Sequence, residues 1–168
     1  MPYDQLLAHR LSSPMATYHL TICASHRYPL FRDPGAAVTA TIALQRCATL
    51  GHCTNHAWVL MPDHLHWLLS ITGTRSLASV VSGFKANTSR ALARSGAVSS
   101  SPWQTGYYEH RLRDDEDLRQ QARYLVANPL RAGRVKRLAD YPWWYAQWAG
   151  PPHGPTAQPT SGEDLLMD

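Results

Sequence analysis

The chain's 168 residues, 44% of them hydrophobic, suffice for one compact core, and a second full domain is not expected. Residues 1–149 hold sixteen basic side chains against nine acidic ones, a net charge of +7, and fourteen of the cations are Arg; its planar fork suits phosphate oxygens, which favours a polyanionic partner over a small-molecule substrate. No run of about eighteen apolar residues occurs, and Met1 to Pro14 lacks a charged start followed by an apolar stretch, so no membrane partner is expected and the protein is expected to be cytoplasmic.

In chain order, Thr17 to Cys23 alternates polar and apolar side chains, which predicts a strand with one buried face. Ala36, Ala37, Ala40, Ala43, Leu44 and Cys47 recur at helical spacing before Gly51, predicting a first helix over 35–50. The three cysteines, Cys23, Cys47 and Cys53, are odd in number and show no framework spacing, as expected of reduced thiols. Cys47, His52, Cys53 and His56 cluster, but adjacent His52 and Cys53 lack the paired spacing of a zinc finger or ribbon. Two β-rich runs, His56 to Met61 and His64 to Ser70, flank Pro62-Asp63, the pattern of a hairpin or a bend.

Leu77, Val80, Val81, Phe84 and Leu92 mark a second helix that leaves Lys85, Arg90 and Arg94 for solvent or ligand. Ser95 to Pro102 reads as a loop and Tyr107 to Leu112 as the last strand. A third helix is expected to start at Asp114 as cap, with Asp115, Glu116 and Asp117 in a first turn that favours negative charge, and to end at Asn128-Pro129. Residues 150–168 hold four prolines and three glycines and read as a flexible tail beyond a domain spanning 1–149. This order predicts an α+β fold, one antiparallel sheet with helices packed on it.

In His64-Leu65-His66-Trp67-Leu68-Leu69 a strand puts both histidines on one face and Leu65, Trp67 and Leu69 on the other, so the two imidazoles can bind one cation side by side. His19, His26 and His110 show no such partner in sequence and read as surface or satisfied histidines. Tyr124 and Asn128 stand four residues apart and share a helix face, while Leu118, Ala122 and Leu125 form a stripe toward the core. Singly, each has an ordinary explanation: a half-buried tyrosine, a helix-ending asparagine. Together they suit phosphoryl transfer. A protonated phenol is a poor nucleophile and a nearby cation favours the phenolate. Two neutral imidazoles and an amide oxygen leave a dication's charge uncancelled, so a phosphate oxygen can be polarised. Arg131, Arg134, Lys136 and Arg137, just past the helix, are placed to hold flanking phosphates, and Lys85, Arg90, Arg111 and Arg113 are further cations expected to contact the same polyanion.

Met61-Pro62-Asp63-His64-Leu65-His66-Trp67-Leu68-Leu69 resembles the His-hydrophobic-His motif of the HUH endonuclease superfamily. The run from Tyr107 to Leu118, continued by Tyr124-Leu125-Val126-Ala127-Asn128-Pro129-Leu130-Arg131-Ala132-Gly133 and by Asp140-Tyr141-Pro142-Trp143, is similar to REP-associated tyrosine transposases, relatives of the insertion-sequence transposases that act on single strands. The resemblance covers about residues 15–148 and the ordered pair of motifs is more specific than either alone. It implies a ferredoxin- or RRM-like HUH nuclease fold. His64 and His66 would be metal ligands with Asn128 as the third, for Mg2+ or Mn2+, and Tyr124 the nucleophile that leaves a 5′-phosphotyrosine and a free 3′-hydroxyl. The partner it implies is a single-stranded DNA hairpin from a repetitive extragenic palindrome. Asp63 departs from the Asn of many relatives, Leu130 from Val and Arg134 from Gly; the Asp63 carboxylate would alter the metal site if it swung inward. A monomer that completes its own site is favoured over a homodimer that exchanges tyrosine helices. The rival reading is a catalytically inactive binder of DNA or RNA hairpins that stacks bases on Trp67, Trp103, Tyr107 and Tyr108.

Overall fold

A computed structural model describes residues 15–113 and 116–149. Strands β1 (Thr17–Cys23), β2 (Cys53–Met61), β3 (His64–Ile71), β4 (Tyr108–Arg111) and β5 (Trp144–Ala146) form one sheet in the order β4-β1-β3-β2-β5, with every neighbouring pair antiparallel. Helices α1 (Pro34–Thr49), α2 (Leu77–Arg94), α3 (Leu118–Val126) and the short α4 (Asn128–Arg131) pack on it. The α+β architecture expected from the element order is the one observed.

Side-chain alternation divides the sheet into two unlike faces. Leu65, Trp67 and Leu69 of β3 join Leu20, Ile22, Trp58 and Leu60 beneath α1 and α2, where Leu44 and Phe84 meet them. Burial of the Trp67 indole demands a partner for its N–H. Nε1 donates to Asn55 Oδ1 at 2.9 Å, and Asn55 Nδ2 donates to the Leu44 carbonyl at 2.9 Å, tying α1 to the sheet. On the other face, Ala57, Val59, Met61 and Leu68 lie beneath Ala122, Leu125 and Val126 of α3, beside Leu138 and Trp144. Cross-strand partners share a face, so the pairs Thr21↔His66, His19↔Leu68, Val59↔His66 and Met61↔His64 put His64 and His66 on the α3 face with His19 and Thr21.

Several expectations are revised. Tyr107 to Leu112 is not the last strand: β5 follows it and pairs with β2, a three-residue edge strand too short to show a period. The third helix starts at Leu118, capped by Asp117, whose Oδ1 accepts from Gln120 N at 2.9 Å. Glu116 is not in the first turn; its carboxylate takes the Arg113 N–H at 2.6 Å and His110 Nε2 at 3.0 Å. Asp114 and Asp115, and the expected tail over 150–168, lie outside the described residues. Among the described residues no helix is long and apolar enough to cross a membrane.

The chain also does not stop at Asn128-Pro129. It kinks at Ala127 and turns once more through α4. Pro129 has no N–H to give the Leu125 carbonyl, and Asn128 Nδ2 donates to that oxygen instead, at 2.7 Å. The side chain before the proline replaces the bond the proline removes, which lets the backbone carry on.

Candidate active site

The β2–β3 hairpin turns through Pro62-Asp63, with Met61 opposite His64. Its first residue past the turn, His64, sets Nδ1 2.6 Å from Asp63 Oδ1. An ionised carboxylate only accepts, so His64 Nδ1 carries the proton of that bond and Nε2 is the ring nitrogen left for another partner. His66 sets Nδ1 3.1 Å from Thr21 Oγ1 and 3.3 Å from His19 Nε2. With both Nδ1 atoms engaged, the two Nε2 atoms face each other at 3.2 Å.

Burial holds His66 down at about 3, helped by the charges of His64, His19, Arg131 and Arg27, so its imidazole is neutral near pH 7 and able to donate a lone pair. Burial pulls the Asp63 carboxyl upward, but the hydrogen bond and charge of His64, and then Arg27, outweigh it and hold Asp63 below the usual carboxylate range. The Asp63 carboxylate is turned toward His64 Nδ1 and Arg27, not toward the gap between the Nε2 atoms.

This donor set fits a divalent cation. Two ligand atoms in adjacent positions around one ion, each about 2.1 Å from it, lie roughly 3 Å apart, close to the Nε2 separation. Orientation of each ligand through its other ring nitrogen is the usual support for a metal-binding histidine. Among the described residues no three His, Cys, Asp or Glu side chains converge as a complete ligand set. His56, from the clustered Cys47, His52, Cys53 and His56, is taken up by Ser70 Oγ at 2.7 Å and Gln147 Oε1 at 3.1 Å.

Tyr124 lies on α3, the helix that covers the histidine face, and is 60% exposed. Asn128 is not on the same helix, as expected, but one kink further, on α4. Its Nδ2 is spent on Leu125, which leaves the amide oxygen for other partners. Arg131 holds the tyrosine: its guanidinium lies 3.8 Å over the Tyr124 ring centroid and donates to the Tyr124 carbonyl at 2.6 Å, and its charge is among those that lower the His66 pKa.

The remaining cations divide by face. Exposed Arg134, Lys136 and Arg137 follow Arg131 along the α3 side, with Arg137 paired to Asp140 at 2.9 Å. Arg113 is exposed and lies 4.0 Å from Glu116. Arg111 is in register with Tyr18, a residue of the opposite core. Arg90 is exposed on α2, beneath that opposite face, and bonds Asn87. Lys85, also on α2, gives its ammonium to the carbonyls of Gln104 at 2.8 Å and Gly106 at 2.5 Å, and burial lowers its pKa. It closes the 104–106 loop.

His19, Thr21 and Arg27 were not assigned from sequence, and His19 is not the unpartnered histidine expected. The signal for the first two was present as the polar face of Thr17-Tyr18-His19-Leu20-Thr21, but only the register with β3 tells which side chains that face meets.

The family model described as "Transposase IS200 like" matches residues 12–128. The chain is 28% identical over 89 residues to the REP-associated tyrosine transposase of Escherichia coli (strain K12), covering 52% of this chain and 51% of that protein. It is 29% identical over 94 residues, covering 50% and 53%, to a Haemophilus influenzae protein provisionally given the same description. The chain thus spans about half the length of these curated relatives. A solved structure of a REP-associated tyrosine transposase bound to a REP hairpin superposes with a TM-score of 0.68 at 22% identity, covering 80% of this chain and 79% of that one. At that identity the likeness speaks for the fold.

Proposed function

The chain belongs to the IS200-like transposase family, and from that premise we propose that it is a single-stranded DNA endonuclease and strand transferase acting at repetitive extragenic palindrome hairpins. The observation that carries this reading is an exposed phenol, Tyr124, on the helix that covers the sheet face where two histidine Nε2 atoms lie 3.2 Å apart. The choice of hairpin rests on the relatives named for REP association and on the neighbour bound to a REP hairpin.

Tyr124 is the nucleophile. Its Oη forms a bond to phosphorus while the bond from phosphorus to the 3′ oxygen breaks, giving a 5′-phosphotyrosine and a free 3′-hydroxyl; the phenol proton goes to solvent and the departing oxygen takes one up. The aryl phosphodiester keeps the energy of the broken backbone bond, so the 3′-hydroxyl of a second strand can displace Tyr124 without ATP. Arg131 steadies the ring from above and places a positive charge beside it, available to a phosphate. Arg134, Lys136 and Arg137 continue that charge along the strand. His64, His66 and the Asn128 oxygen would hold Mg2+ or Mn2+, which when bound supplies charge to polarise a non-bridging phosphate oxygen. Because α3 packs on its own chain's sheet, we read the site as completed within one monomer.

A labelled hairpin oligonucleotide incubated with wild type and Tyr124→Phe in Mn2+ tests this. Cleavage with a protein-bound DNA adduct is expected from the wild type and neither from the variant. Cleavage that survives Tyr124→Phe points to a water nucleophile instead, and tight binding without cleavage by either protein points to a hairpin-binding module.

A further inference from the structure

The segment between β1 and α1 wraps over the β2–β3 turn. Ala24 N donates to the Asp63 carbonyl and Phe31 N to the Pro62 carbonyl, each at 2.9 Å. Between these two backbone anchors, His26 and Arg27 both adopt left-handed backbone, with φ of 51° and 56°, a conformation non-glycine residues seldom take and seldom in succession. The twist delivers the Arg27 side chain to the turn. Its Nε lies 2.9 Å from Asp63 Oδ2 and its Nη1 lies 2.9 Å from Cys23 Sγ.

Stability does not account for this arrangement. The Arg27 side chain is 54% exposed, and exposed ion pairs contribute little to folding, whereas two left-handed residues oppose it. What the pair does accomplish is geometric. Asp63 has two oxygens: Oδ2 faces Arg27 and Oδ1 faces His64 Nδ1 at 2.6 Å. With Oδ2 on Arg27, rotation of the carboxylate toward the Nε2 atoms would break that contact as well as the one to His64, so both favour Oδ1 staying aimed at the ring it orients.

We propose that Arg27 is a positioning residue for the cation site, acting through Asp63 on His64. This rests on the reading of His64 and His66 as metal ligands. The left-handed turn at His26-Arg27 is the device that brings the guanidinium to Asp63, and the unbroken series Arg27, Asp63, His64 sets the direction in which the ring's Nε2 points.

Mn2+ binding to the full chain, followed without DNA by the loss of the free-ion electron paramagnetic resonance signal, tests it. Arg27→Ala is expected to weaken binding several-fold and Asp63→Ala, which removes the acceptor for His64 Nδ1, roughly tenfold, the scale of losing an outer partner of a metal histidine. In the double variant the Arg27 change should add nothing, because its route through Asp63 is gone. Arg27→Lys should recover part of the loss. Arg27→Gly separates side chain from backbone: glycine accepts the left-handed conformation, so the apo protein should melt no lower than wild type yet bind Mn2+ as weakly as Arg27→Ala. Unchanged or tighter binding in Arg27→Ala or Arg27→Gly, or independent effects of Arg27 and Asp63, overturns the proposal while leaving the metal reading intact. A wild type that takes up no Mn2+ overturns both.

Discussion

Arg131 grips Tyr124 twice, its guanidinium 3.8 Å over the ring centroid and its Nη1 2.6 Å from the residue's own carbonyl. An exposed tyrosine has two side-chain torsions to lose before its hydroxyl can attack in one direction, and the cation over the ring restricts both. At an exposed site such a contact stabilises by about 0.5–1 kcal/mol, too little to matter for folding. Arg131→Gln should therefore melt within a few degrees of wild type but form the DNA adduct about two- to fivefold more slowly under single-turnover conditions. An unchanged adduct rate would show that the tyrosine needs no such restraint.

Asn128 has two ends, Nδ2 bonded to the Leu125 carbonyl and an oxygen proposed as a metal ligand, and the two can be separated. Asn128→Ala orphans the Leu125 carbonyl and should cost about 1 kcal/mol as well as Mn2+ affinity. Adding Pro129→Ala restores a backbone N–H four residues after Leu125, so the double variant is expected to regain stability in urea denaturation and not metal affinity. Recovery of both would assign Asn128 a purely structural role.

Acid should loosen the fold in a defined window. His66 is held down at about 3, mainly by burial; His19 is lowered by burial and then His110, and His56 by burial that outweighs its Gln147 hydrogen bond. Each takes up a proton near its ordinary value of 6.5 in the unfolded chain but resists it when folded. Unfolding therefore gains protons below that value, and the stability contributed by the neutral rings falls as pH drops from about 6.5 toward about 3 and returns as pH rises. Denaturant titrations from pH 7 to pH 4 should follow this slope, and His66→Gln should flatten it. A slope unaltered by His66→Gln would contradict the assignment.

Salt dependence separates the cations by face. Loss of one phosphate contact lowers the slope of log affinity against log salt by about 0.7–0.9, and such a change is expected for Arg134→Ala and for Lys136→Ala with hairpin DNA. Lys85→Ala should leave the slope alone and lower the melting temperature, since its ammonium is occupied by the Gln104 and Gly106 carbonyls. The reverse pattern would move the binding face to α2.

Most of the elements, and the residues proposed to carry the chemistry, are legible in the sequence because their signals are local. Alternation along Thr17–Cys23 and His64–Ile71 fixes which side chains share a face, and the periodic apolar residues of 34–49 and 77–94 mark the helices that bury Trp67 and Phe84. The pairing of His64 with His66 is a consequence of a two-residue repeat and nothing more distant. Strand β5 left no readable trace, since three residues at a sheet edge take their conformation from β2.

The sequence by itself determined the α+β class, the histidine pair and the spacing of Tyr124 and Asn128. Only tertiary structure decided that His19 and Thr21 would back His66, that Arg27 would turn Asp63 toward His64, that Asn128 would mend the helix at Leu125, and that Lys85 would close a loop. Periodicity states the face on which a side chain emerges, but which strand lies alongside depends on register and burial summed over the whole sheet, and those contacts join residues as far apart as His19 and His66.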